Sequence, residues 1–202
     1  MNQSSTTVEA ALEDLRTLDF EIDRALHSWT IFHESVRKFE AEQSKLVDAI
    51  NDLEIGRTFN HIQMILLHDC VSSLCRATDQ NKPDRITLDS VAANLRVLYA
   101  TTEPEKVKEF DATRKSILKS TGLAELRTFR NNQLGHTLRL QTPQTAYTPI
   151  PVLINQISGL LSGAFFLFGY PRWIGQPTGN SFEKSAQRFW DRVELGLKSQ
   201  KI

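Results

Sequence analysis

Between Arg139 and Arg172 the chain carries no charged side chain, and the stretch IPVLINQISGLLSGAFFLFGY (150–170) is almost wholly apolar. As a helix it is long enough to cross a bilayer. That surface has to be covered by lipid, by the rest of the chain or by a second copy. Asn155, Gln156, Ser158 and Ser162 interrupt it and no basic cluster flanks it, whereas spanning helices carry few polar residues and are anchored by neighbouring Lys and Arg. The stretch therefore reads as a core helix or a subunit-interface helix, not a membrane anchor. Gly159 and Gly163, four apart, would let another helix approach closely.

The remaining sequence supplies helices to pack with it. From about Thr7 to Ile50, apolar residues recur at helical spacing: Leu12, Leu15, Leu18, Ile22 and Leu26, then Val36, Phe39, Leu46 and Ala49. HSWTIFHES (27–35) reads as a break between two helices or a bend in one long one. Gly56 punctuates, and RTFNHIQMILLHDCVSSLCRATD (57–79) reads as a central helix with Ile62, Leu66 and Leu67 turned inward. After the turn QNKPDR (80–85), Thr87 is placed to cap a helix over 87–100, and Pro104 opens the next, over 102–120. Gly122 separates that helix from LAELRTFRNNQLGHTL (123–138). RLQTPQTAYTPIP (139–151) and GYPRWIGQPTGN (169–180) read as loops. A last amphipathic helix, capped by Asn180 or Ser181, presents Phe182, Ala186, Phe189, Val193 and Leu197 on one side. No segment of useful length alternates with period two. The reading is an all-α, single-domain bundle, with an N-terminal hairpin or long bent helix over 1–54 and a helical core over 55–200.

Charge narrows the partners. Lys and Arg number 24 and Asp and Glu number 24, so no global basic field draws in nucleic acid, and an RNA partner has to be met through a local patch. Cys70 and Cys75, five residues apart, point in different directions on a helix, which makes a bridge between them implausible; they read as buried thiols in a reducing, cytoplasmic setting. The opening MNQSSTTVEAALEDL lacks the basic and apolar pattern of a secretory signal. There is no glycine-rich phosphate loop, zinc-type cysteine spacing or serine-nucleophile elbow. His61, His68 and Cys75 stand seven apart, about 10.5 Å of rise per step, too far to share an ion. No metal and no cofactor is expected.

One residue resists the helical pattern. Leu123, Leu126, Leu134 and Leu138 share a side of their helix, and Arg130 falls among them. A guanidinium keeps its charge, so a half-buried one needs a carboxylate, a partner subunit or a ligand phosphate. Asp69 is the first-choice carboxylate and Asp79 the second. Trp29, Trp173 and Trp190 read as packing residues, since no basic pattern interleaves them.

Arg130 is followed at once by Asn131 and, after five intervening residues, by His136. This RNxxxxH arrangement resembles the R-x(4–6)-H motif of the HEPN superfamily (higher eukaryotes and prokaryotes nucleotide-binding). The surrounding segments LHDCVSSLCRATD, RITLDSVAANLR and LAELRTFRNNQLGHTL, with the proline-bearing loop into an apolar helix, resemble the abortive-infection U-type HEPN-like family over about residues 55–170. The resemblance implies a helical bundle that dimerises. It also implies a metal-independent endoribonuclease, acting as a toxin or antiphage effector, with Arg130 and His136 catalytic and Asn131 and Asp69 supporting them. An antitoxin or other regulatory protein is an implied partner. The alternative is a non-catalytic module that binds a nucleotide, RNA or a protein. Family members more often carry Ala where Gly135 stands, and an acidic residue soon after the histidine, where this chain has Thr137 and Leu138. Six steps put Arg130 and His136 about 120° apart on an ideal helix. The pair converges if the arginine stem bends round, if the helix distorts at Gly135, or if two copies meet across a two-fold axis.

Overall fold

The computed structural model describes residues 7–41, 48, 50–51, 55–80, 85–134, 148–170 and 181–199. Among these are seven helices and no strand: α1 (Val8–Ala41), α2 (Gly56–Thr78), α3 (Leu88–Tyr99), α4 (Pro104–Leu118), α5 (Thr121–Leu134), α6 (Pro149–Leu167) and α7 (Ser181–Ser199). The all-α reading holds. The chain forms two compact units, Met1–Ala25 with Val71–Gly175, and Leu26–Cys70 with Gln176–Ile202.

In the first unit the early part of α1 buries Leu15, Leu18 and Ile22, and the end of α2 buries Leu74 and Cys75. α3 starts where the sequence placed it. The Thr87 hydroxyl accepts from the Ser90 amide, and the Ser90 hydroxyl accepts from the Thr87 amide at 2.8 Å, a closed capping box. Leu88, Val91 and Leu95 then face the core. Pro104 opens α4, where its missing N–H costs nothing. α4 packs against α3 and α6, and α5 packs against α6. α4 also buries Arg114, whose guanidinium meets Asp89 and, at 3.2 Å, Asp111; Asp111 is shared with Arg96 at 2.6 Å.

α6 is one-sided. Ile150, Leu153, Ile154, Ile157, Leu161, Ala164 and Phe165 are buried, while Val152 and Phe166 are 53% and 71% exposed and Asn155, Gln156, Gly159 and Gly163 also face outward. It is long and apolar enough to cross a membrane by length and composition, with 44% of it buried. Lys106 covers the Phe166 ring at 5.3 Å. Gly169, at φ 74°, ends the helix: its amide donates to Phe166 and that of Tyr170 to Phe165, closing the last carbonyls in a Schellman turn.

In the second unit Ile50, Phe59 and Trp190 form a small core joined by Ile31, Phe39, Ile55, Val193 and Leu197. The Trp190 indole donates to the Ile31 carbonyl at 2.9 Å, and Lys38 meets Asp191 at 2.7 Å and Glu194 at 3.4 Å.

One open alternative is decided and two expectations are corrected. Of the two readings of HSWTIFHES the single helix holds, since α1 runs unbroken through it. Thr30 donates its hydroxyl to the Leu26 carbonyl and Ser35 to that of Phe32, so these polar residues satisfy themselves within the helix. α2 is central only in its second half: Leu67 is buried, but Ile62 and Ile65 are 43% and 52% exposed. On α7 it is Trp190 that is buried, and Phe189 is half exposed.

Candidate functional site

Arg130 lies on α5 one turn beyond Leu126, which is wholly buried, and next to Phe129, which is nearly so. Its side chain is 26% exposed, and its Nη1 donates to Asp79 Oδ2 at 3.2 Å. The carboxylate that answers Arg130 is thus Asp79, the second choice of the sequence reading. The reason is position. Asp79 directly follows the last residue of α2, whereas Asp69 lies nine residues earlier than Thr78, about 13 Å of helical rise. Asp69 belongs to the other compact unit, where it accepts the Ser28 hydroxyl at 2.7 Å.

Asp79 also meets Arg85 at 3.6 Å. Close by, Arg127 donates to the Thr78 carbonyl, and Arg76 to Glu21 at 3.0 Å and to the Ser73 hydroxyl at 2.9 Å. Burial pushes the Cys75 thiol above its usual pKa; among the charges it feels, those of Arg130, Arg127 and Arg76 pull it back and that of Asp79 adds to the rise. Among the described residues the ends of α2 and α5 therefore bring together Arg76, Arg127 and Arg130, with Arg85 joining through Asp79. Sequence reasoning missed Arg127, Arg76 and Arg85. The signal available for Arg127 was its spacing three before Arg130, which places both on adjoining faces of one helix.

Asn131 is exposed at the end of α5. His136, Gly135 and Leu138 lie outside the described residues, so the geometry of this site is that of its arginine half. A cavity of about 510 Å³ opens between α4 and α6, lined among others by Lys106, Glu109, Gln156 and Gly159, and neither Arg127 nor Arg130 lines it.

The comparison with protein families decides the identity. The HEPN_AbiU2 model, described as AbiU2, matches residues 9–161. The chain belongs to the AbiU2 family of HEPN proteins. The match takes in α1 through most of α6, more of the AbiU2 chain than the 55–170 of the sequence resemblance, and it includes Arg130, Asn131 and His136. No curated protein matches this AbiU2 chain, and no solved structure does. The family name points to abortive infection.

Proposed function

We propose that this AbiU2-family protein is an endoribonuclease of the abortive-infection type that cleaves RNA through Arg130 and His136 without a metal. The observation that carries the reading is Arg130: a half-buried guanidinium on the apolar side of α5, held by the carboxylate of Asp79, in an RNxxxxH arrangement that resembles the HEPN motif.

RNA brings its own nucleophile. His136 takes the proton from the 2′-hydroxyl as its oxygen attacks phosphorus. The bond to the 5′-oxygen breaks, and that oxygen takes a proton from water as it leaves, while the proton on His136 returns to solvent. The products are a 2′,3′-cyclic phosphate and a 5′-hydroxyl. Histidine titrates near neutral pH and suits proton movement, and the guanidinium fork suits the charge building on the phosphate oxygens. Asn131, at the exposed end of α5, hydrogen-bonds the sugar–phosphate backbone. The offset of about 120° between the pair on an ideal helix favours a symmetric dimer with both motifs near its axis.

The test is purified protein incubated with transfer RNA in EDTA, beside the Arg130→Ala, His136→Ala double variant. Wild type should cut and the double variant should not, with His136→Ala alone losing a factor of about a hundred to ten thousand. Light scattering should report a dimer. Cleavage that needs added metal, or that survives His136→Ala, defeats the mechanism; RNA binding without any cleavage favours a non-catalytic module.

A further inference from the structure

Arg127 is the unexplained group of this site. Its Nε is buried and has no hydrogen-bond partner among the described residues. Its one contact is to a neutral acceptor, the Thr78 carbonyl, and no described carboxylate pairs with it. Arg76, Arg85 and Arg130 each have a carboxylate: Glu21 for the first, Asp79 for the other two. Among the described residues Asp79 is shared by two arginines, and no salt bridge is made by Arg127. A half-buried guanidinium with an idle N–H is costly unless an anion completes it. Arg127 and Arg130, three residues apart on α5, are spaced for two anionic groups about one helical turn apart.

We propose that Arg127 and Arg130 bind two consecutive phosphodiesters of one RNA strand, Arg130 taking the scissile one and Arg127 its neighbour. The inference rests on the ribonuclease reading for the placing of Arg130 at the scissile phosphate. The Arg127 fork, pre-oriented by its bond to Thr78, turns its remaining donors to phosphate oxygens, a match an ammonium cannot reproduce. Contact with the backbone alone carries no sequence information, so Arg127 holds the strand in register without selecting bases.

The experiment uses a short 2′-O-methyl oligouridylate, which lacks the nucleophile and cannot be cut by the proposed route. Its affinity for the full chain is measured over a range of salt, beside uridine monophosphate. Arg127→Gln should weaken oligouridylate binding roughly tenfold, as loss of a charged hydrogen bond does, and flatten the slope of log K against log salt by about 0.7, the loss of one phosphate contact. Arg127→Lys should keep the slope. In wild type the Arg127 Nε–H resonance, assigned by its absence from Arg127→Lys, should shift when the oligouridylate is added; this reading holds even if Arg127→Gln does not fold. An unshifted resonance, an unchanged slope in a folded Arg127→Gln, or equal affinity for uridine monophosphate overturns the proposal. Arg127-dependent binding in a protein that cuts no ordinary RNA removes the ribonuclease reading and leaves the two-phosphate site. Equal cleavage by wild type and Arg127→Gln does the reverse.

Discussion

Gly122 on α5 sits against Pro149 at the start of α6 so closely that a Cβ added to the glycine would lie 2.6 Å from the proline Cβ. The neighbour is a ring fixed to its own backbone, with no flexible end to swing aside. Gly122→Ala ought to gain up to about 1 kcal/mol in helix propensity, yet the contact reverses the sign. The expected outcome is a net loss of about 1–3 kcal/mol, read as a lower urea midpoint with an unchanged slope. A variant as stable as wild type would mean that α5 and α6 part easily.

The opposite is expected on the outer face of α6. A Cβ at Gly159 or Gly163 meets nothing within 4 Å. Gly159→Ala and Gly163→Ala should each stabilise the chain by about 0.5–1 kcal/mol, through the lower entropy of the unfolded state. Thermal melts decide. A loss of stability in either variant, together with a loss of dimer in light scattering, would place the two-fold contact on this face.

Arg114 and Arg130 offer a contrast between an arginine tied into the core and the one proposed to act on RNA. Arg114 is 9% exposed and tied to two carboxylates; Arg114→Ala should cost about 1–3 kcal/mol by leaving Asp89 unanswered, while Asp111 keeps Arg96. Arg130→Ala should cost under about 1 kcal/mol. Burial pushes the Asp111 carboxyl up, but its hydrogen bond to Arg96 and the charges of Arg96 and Arg114 outweigh this and hold it below its ordinary 3.8. A depressed folded pKa contributes stability above the unfolded value, lost as pH falls through the folded one. Asp111→Asn should therefore lower stability at neutral pH and flatten its fall below about pH 4, measured by denaturant melts across that range.

Neither cysteine is in a disulfide among the described residues, and both are buried; burial raises the Cys75 thiol despite the arginines around it. Thiolate is the reactive form. Native protein exposed to iodoacetamide at mildly alkaline pH should stay unmodified by mass spectrometry, and both residues should react once urea unfolds the chain. Fast alkylation of native Cys75 would reveal an opening beside Arg130.

The elements that were legible in the sequence are those fixed by local chemistry. Thr87 and Ser90 close a box within four residues, and Pro104 can stand in a helix only at its start, so both boundaries could be read directly. What depends on tertiary partners was less visible. The polar run at 27–35 looks like a break until Thr30 and Ser35 are seen to bond their own helix. Ile62 and Ile65 belong to an apolar run, but a chain has more apolar side chains than its core can hold. The need of Arg130 for a carboxylate was readable from its neighbours. Which carboxylate answers it depends on where α2 ends relative to α5, and no periodicity encodes that.

The uncharged, half-covered α6 also bears on how the chain is made. A nascent segment of this length and apolarity is attractive to any machinery that sorts hydrophobic stretches into lipid. The helices it packs on, α4 and α5, precede it in the chain, so the surfaces that receive its buried face are already synthesised when it emerges. Order along the ribosome's product thus gives α6 a protein partner before it needs a membrane one.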